Sequence, residues 1–352
     1  MKKIVIFIAF VIVSQSYIFG QQSDTLNRTD KFGKKYGYWK QYDNGHLLWE
    51  GQFYNGSPIG VMYHYYDNGQ IETYSKYYIN SPKVDAIIYH RNGQKAAEGE
   101  YIDKQKNGKW LYYSAKGVLI SEENWDKGLK EGSCKNYSPR DGILVEDISW
   151  HKGKLHGPYK TYYASGQPRI SMNYENGKMQ GNFQCCYESG KIWVKGQYVN
   201  DLRNGTWTRY NENGNELKIE EIVNGLATST ILGFQIQGQW LKINATQIAY
   251  FYNQGDNIIM QLFNKKKFTI INTTLEEIES LAGVSLFIFL NPNFLSSYRS
   301  VKKVTYSTDE DGVEEAEILI YPNPNFPVIA TGEECRSLKS LLNENEPSDK
   351  DE

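Results

Sequence analysis

Eight glycines recur along this chain at a nearly constant interval, and that interval limits the fold more than any other feature. They are Gly45, Gly69, Gly93, Gly117, Gly142, Gly166, Gly190 and Gly214, spaced by 24 residues at every step but one, which is 25. A fixed period of this size marks a tandem array in which each repeat is one supersecondary element. Asn precedes the glycine at Asn44, Asn68, Asn92 and Asn213. Asn-Gly accepts positive φ at both central positions of a type I′ turn, so each glycine is expected to close a β-hairpin, as a two-residue turn where Asn precedes it.

Three further columns keep the phase. Eight residues after the turn glycines stand Phe53, Tyr77, Tyr101, Trp125, Trp150, Tyr174, Tyr198 and Ile222. Before the turn come Tyr42, Tyr65, Tyr89, Tyr113, Tyr137, Tyr162, Cys186 and Tyr210, and three residues earlier Trp39, Met62, Ala86, Trp110, Cys134, Tyr159, Phe183 and Trp207. Most repeats open with a glycine, as at Gly37, Gly108, Gly157 and Gly205, and a second turn follows at Gly56, Gly128, Gly153, Gly177 and Gly225. A three-residue spacing between two aromatic columns breaks the alternation of a strand, so a bulge is expected in the first strand of each hairpin. One hairpin cannot bury its aromatic face alone, whereas stacked hairpins share a row of rings. The rings of these columns are therefore expected to form the core. On a single-layer sheet one face could instead expose tyrosines to a partner's strand or a glycan.

The 28 Tyr and 8 Trp exclude a disordered chain, and 31 Gly fit short strands and tight turns. A formal net charge of -2 gives no general attraction to nucleic acid or acidic membranes.

The repeats resemble the bacterial MORN-variant repeat, the family often labelled YwqK-type antitoxin. Its unit, roughly Gly-x-Trp-x-x-Tyr, Asn-Gly, Glu-Gly-x-Tyr, is met by Gly37-Tyr38-Trp39, Tyr42, Asn44-Gly45 and Glu50-Gly51-Gln52-Phe53. It is met again by Tyr89, Asn92-Gly93 and Glu98-Gly99-Glu100-Tyr101. The third repeat lacks the opening glycine, and the fifth carries an extra residue near Pro139. The resemblance spans about residues 31–225 and implies a β-meander used for association, with no chemistry.

After Gly225 the rhythm stops. Leu241 to Ile248, Ile258 to Phe263, Lys267 to Ile271, Leu286 to Leu290, Val301 to Tyr306 and Ala316 to Tyr321 read as strands. A short helix is expected after a cap at Thr273 or Thr274, ending near Ala282, and another over Glu333 to Leu342. The expected fold is therefore mainly β: eight tandem hairpins over 31–225, then a small mainly-β domain with one or two short helices over 226–343. The order over 232–343 is similar to a LytTR-type DNA-binding domain, through Ile248-Ala249-Tyr250-Phe251, Gly255-Asp256-Asn257, Thr274-Leu275-Glu276-Glu277-Ile278, Asn293-Phe294-Leu295 and Val301-Lys302-Lys303-Val304. That family's Arg-x-His-Arg-Ser is Phe289, Leu290, Asn291, Pro292 and Asn293 here, and its Val-Ser-Arg is Ala330-Thr331-Gly332. From residue 226 onward 10 Lys and Arg face 17 Asp and Glu, a net of -7. DNA affinity rests on cations that neutralise phosphates, so a nucleic-acid partner is not expected.

At the N-terminus Lys2 and Lys3 precede the apolar run Ile4 to Val13, and a more polar stretch ends at Gly20. This is the order of a secretory signal peptide over 1–20, followed by a leader over 21–30. The nearest cysteine is Cys134, so no lipid attachment is expected, and no later segment is apolar enough to cross a bilayer. Residues 344–352 read as an acidic disordered tail.

No nucleophile motif, phosphate loop or metal-ligand spacing occurs, and the five histidines fall in different phases of the repeat. Neither catalysis, a cofactor nor a metal is expected. The four cysteines are expected as free thiols: Cys185 and Cys186 point to opposite faces, and Cys134 lies about four strand spacings, roughly 19 Å, from Cys186. The expectation is an exported interaction scaffold of the periplasm, cell surface or medium that recognises a protein. A cell-wall glycan is the alternative, and a DNA-binding regulator is disfavoured by charge. Export predicts a mature chain beginning at Gln21. N-terminal sequencing of the protein from its native host checks this, and an intact Met1 would refute it.

Overall fold

A computed structural model describes residues 26–308 and 312–343; the expected signal peptide, half of the expected leader and the expected acidic tail lie outside the described residues. The chain divides into two compact units, Met1–Leu129 and Lys130–Glu352.

In the first unit the strands Lys35–Asp43, His46–Tyr54, Ser57–Tyr65, Ile71–Tyr77, Lys83–Tyr89, Lys95–Ile102, Gln105–Tyr113 and Leu119–Asp126 each pair antiparallel with the next. These are four hairpins. In the second unit Gly132–Tyr137, Leu144–His151, Lys154–Tyr162, Pro168–Glu175, Gly181–Cys186, Ile192–Val199, Leu202–Tyr210 and Glu216–Val223 repeat the pattern. The sheet does not end where the glycine rhythm ends. Leu226–Ile236 pairs with Glu216–Val223, and Gln239–Asn244 pairs with Leu226–Ile236. A hairpin edge needs a backbone partner and not a periodic side chain, so pairing outlasts the repeat by two strands.

The turns differ from the sequence expectation. Asn44 and Gly45 both have positive φ, and Asp43 pairs directly with His46, as a type I′ turn requires. At Asn68-Gly69, Asn92-Gly93 and Asn213-Gly214 only the glycine is left-handed. There Tyr66 accepts from the Gly69 amide at 2.9 Å and donates to the Gln70 carbonyl at 2.8 Å, which is a type I turn closed by a glycine bulge. This turn needs a left-handed residue only at its last position, which explains why Lys116, Ser165 and Ser189 can replace the asparagine. The two-residue turns with both residues left-handed sit instead at the second turn, at Asn55-Gly56, Lys152-Gly153, Asn176-Gly177 and Asn224-Gly225.

A bulge is present, but in the second strand of each hairpin and not in the first as expected: Leu48, Glu72, Ala96 and Ile120 are the extra residues in the first unit. Strand register slips between Gln41 and Tyr42, His64 and Tyr65, Ile88 and Tyr89, Tyr112 and Tyr113, and at the matching places in the second unit. The first strand keeps its alternation, so the three-residue spacing by itself puts the second aromatic on the face opposite the first.

In each unit an indole lies tightly across a glycine. A Cβ at Gly99 would come within 2.3 Å of the Trp110 ring, and one at Gly196 within 2.2 Å of Trp207. The indole N–H groups donate to the carbonyls of Glu100 at 3.0 Å and Gln197 at 3.1 Å. Met62 occupies the same place over Gly51. This column, completed by Ala86 and Cys134, is the most buried part of the hairpins.

Beyond Asn244 a five-stranded sheet runs in the order Lys267–Ile270, Asn257–Leu262, Ile248–Gln254, Phe294–Ser297, Phe287–Asn291. A three-stranded sheet of Val301–Thr308, Glu314–Ile320 and Ile329–Thr331 follows. The helix Leu275–Ala282 is capped by Thr274, with Glu277 returning the bond, and packs Leu275 and Ile278 against Phe251, Met260 and Phe287. The second helix, Gly332–Asn343, closes a separate cluster around Tyr250, Ile318 and Leu338.

Substituting Gly99→Ala is expected to destabilise the chain by about 1–3 kcal/mol through overpacking against Trp110. Gly128→Ala, where no ring lies overhead, should cost only the strain of its positive φ. Urea unfolding of both variants checks the difference.

Candidate interaction surface

The register puts the repeat aromatics on two faces with different chemistry. On the indole face, cations cover the rings. Lys35 lies 4.6 Å from the Trp39 ring and 5.0 Å from Phe53, Lys106 lies 4.8 Å from Trp110 and 4.9 Å from Trp125, and Arg203 lies 5.1 Å from Trp207. Lys130 does the same over Trp150. Each of these cations stands two residues before its repeat's opening glycine. Each charged group lies over a ring, where the ring's negative face attracts it.

The other face is held by carboxylates. One cross-strand row in the first unit reads Lys40, Glu50, Tyr63, Tyr74, Ile87, Glu98, Leu111, Glu122. The Tyr65 hydroxyl donates to Glu50 at 2.5 Å, and the Tyr113 hydroxyl donates to Glu98 at 2.7 Å. Both bonds tie one repeat to the one before it. Lys40 also pairs with Glu50 at 2.9 Å and Lys95 with Glu98 at 2.7 Å. Burial, then the Glu98 hydrogen bond, pushes the Tyr113 hydroxyl up to about 12. The Lys95 ammonium and the Tyr113 hydroxyl hold Glu98 below the usual carboxylate range against its partial burial.

A second inter-repeat bond was not foreseen. Tyr66 donates to the Tyr89 carbonyl at 2.7 Å, Tyr163 to Cys186 at 2.7 Å and Tyr187 to Tyr210 at 2.8 Å, and the His90 ring nitrogen bonds the Tyr113 carbonyl at 2.9 Å. These residues stand three before the turn glycine, and the recurring pairs Tyr65-Tyr66 and Tyr162-Tyr163 were the available signal.

Of the rings expected as core, Phe53, Trp110 and Trp207 are buried. Trp39, Tyr65, Tyr77, Tyr89, Tyr101, Tyr113, Trp125, Tyr137, Trp150, Tyr162, Tyr174, Tyr198 and Tyr210 are half-buried, because a single-layer sheet covers a ring on one side only. Tyr42 is a correction: it is 51% exposed. It has the place of Tyr65 and Tyr113, but no earlier repeat supplies a glutamate for it. The turn glycines Gly45, Gly69, Gly93, Gly117, Gly142, Gly166, Gly190 and Gly214 all have positive φ. Cys134, Cys185, Cys186 and Cys335 are buried free thiols.

Among the described residues, two of the concave sites in the second unit involve the repeat sheet. A cleft of about 730 Å³ lies between the last hairpins and the first helix, floored by Leu217, Phe234, Trp240 and Ile278, with Arg209, Asn213 and Glu276 at its rim. A trough of about 740 Å³ on the repeat sheet is lined by Lys160, Ser171, Asn173, Asn182, Gln184, Lys195, Gln197 and Thr206. Among the described residues no group of three or more His, Cys, Asp or Glu could hold a metal ion, and no helix is long and apolar enough to cross a membrane.

With this geometry in place, the repeats match a described class. The MORN repeat variant family matches residues 58–80, 155–176 and 179–200, so the chain carries MORN-variant repeats in both units. No curated protein matches it. Among solved structures, a LytTr DNA-binding domain of a response regulator from Bacillus cereus is similar at 14% identity and TM-score 0.26, over 32% of this chain and 95% of that one. A TcdB2-TccC3-Cdc42 structure is similar at 12% identity and TM-score 0.19, over 82% of this chain and 16% of that one. These similarities are too low to carry any argument about activity.

The sign of the Glu98 shift predicts acid lability. A carboxylate whose folded pKa lies below its unfolded value of 4.5 contributes stability that is present above that value and lost as pH falls through the folded one. Glu98→Gln should flatten this loss below pH 4.5, and thermal melts across pH 3 to 7 check it. Tyr113→Phe should cost about 0.5–1.5 kcal/mol at neutral pH by removing the part-buried hydrogen bond to Glu98, which keeps Lys95 as a partner.

Proposed function

We propose that the protein is an exported, non-catalytic scaffold that holds a protein partner in the cell envelope. One observation carries this reading: the first hairpin and the segment before it expose a set of large apolar side chains. Phe32 is 75% exposed and Tyr54 68%, with Leu26, Tyr36, Tyr42 and Leu48 also exposed. Terminal repeats of an array normally present a polar cap, because water meets them on one side. An apolar terminal repeat is instead the kind of surface that a partner covers.

The rest is consistent with association. MORN-variant repeats are repeat modules and not catalytic domains. Glu277, beside the cleft, is engaged in the helix cap. The segment after residue 226 carries a net charge of -7, which opposes a phosphate-bearing partner there.

The test is crosslinking in intact cells with a photoreactive residue at position 54, followed by native pull-down. A specific protein should be recovered, and the combined change of Phe32, Tyr42 and Tyr54 to Ala should weaken its binding roughly tenfold or more while leaving the melting temperature in place. Recovery of no specific protein under native conditions would overturn the reading.

A further inference from the structure

We propose that the trough in the second unit binds a linear anionic polysaccharide. The cross-strand row on this face runs Lys160, Ser171, Gln184, Lys195, Thr208. It continues the same repeat position that carries Glu50, Glu98, Glu122 and Asp147 in earlier repeats. In those repeats a carboxylate sits beside the cations: Lys40 on Glu50, Lys95 on Glu98 and Lys109 on Glu122. At the next two repeats the position becomes Ser171 and then Lys195. The carboxylate is lost and then its charge is reversed, so the row from Lys160 to Thr208 has two cations and no acid. Asp147 is the cross-strand partner of Lys160, but its carboxylate accepts from the Ser133 hydroxyl at 2.7 Å; Lys195 lies 5.3 Å from the Tyr210 ring, with the Glu216 charge acting on it from beyond the row.

The geometry selects the ligand. Lys160 and Lys195 stand three strand spacings apart, about 14 Å at ~4.8 Å per strand. Hydroxyl and carboxamide groups lie between and beside them: Ser171, Gln184, Asn173, Asn182 and Gln197. Such groups both donate and accept, as sugar hydroxyls do, and the ammonium groups suit acid substituents. An extended peptide would need a free sheet edge to bond its backbone, and here every strand is paired on both sides. The row contains no ring on which a nucleobase could stack. This inference is independent of the protein-partner reading, which rests on the first hairpin.

The test uses the full chain in affinity electrophoresis through gels containing polygalacturonate, with dextran as the neutral control. Polygalacturonate should retard the protein, salt should weaken the effect, and dextran should do nothing. Lys160→Gln with Lys195→Gln should lower affinity roughly tenfold or more, the scale of a lost charge-assisted hydrogen bond. Ser171→Glu, which restores the carboxylate of the other repeats, should do the same. Lys40→Gln with Lys109→Gln should change nothing. Circular dichroism confirms that each variant is folded. The proposal fails if polygalacturonate gives no retardation, if the Lys160 and Lys195 variant is retarded as strongly as the parent, or if poly-glutamate or single-stranded DNA competes as well as polygalacturonate at equal charge.

Discussion

The contact on which the hairpin array depends is an indole laid across a glycine. A strand that buries a large ring normally needs a second layer to cover it, whereas the cluster around Trp110 is drawn from the hairpins alone. The chain solves the problem inside the sheet. Removing the side chain at Gly99 or Gly196 opens a seat on the facing strand, and the Trp110 or Trp207 ring fills it. The indole N–H then bonds a carbonyl one residue further on, so the buried ring leaves no polar atom unsatisfied. Met62, over Gly51, occupies the same seat with less ring area and no hydrogen bond to orient it.

The three-residue spacing serves that arrangement. If the two columns of a first strand shared a face, the second would compete for the same seat. The odd spacing of Tyr65 from Met62 and of Tyr113 from Trp110 puts each tyrosine on the opposite face, where it reaches a glutamate of the preceding repeat. The two faces therefore do different work. The indole face packs within and between neighbouring strands under a layer of Lys and Arg cations. The opposite face joins repeat to repeat through hydrogen bonds between side chains. That second face can change its charge without disturbing the packing, and between Lys160 and Thr208 it does.

Much of the fold was legible because the repeat writes its constraints at a fixed spacing. The eight turn glycines, the Thr274 cap and most C-terminal strands could be placed from residue types alone, whereas the bulge was expected in the first strand of the hairpin and lies in the second. The turn chemistry was legible only in part. Asn-Gly suits a type I′ turn, yet it fits a type I turn with a glycine bulge equally well. Which forms depends on whether Tyr66 meets Gln70 across the strands, and the dipeptide carries no trace of that. The strands Ile248–Gln254 and Phe294–Ser297 were missed because they are buried on both sides and so show no alternation.

By itself the sequence determined the repeat, its length and the residue types that each position tolerates, because backbone sterics and turn geometry act over a few neighbouring residues. The tertiary structure alone decided which rings are covered. Tyr42, Tyr65 and Tyr113 occupy the same place in the repeat, and only the presence of an earlier hairpin distinguishes a docked tyrosine from an exposed one. It also decided which polar side chains meet. Lys160, Ser171, Gln184 and Lys195 are separated by 11, 13 and 11 residues in the chain, and they become neighbours only when strand pairing sets the register.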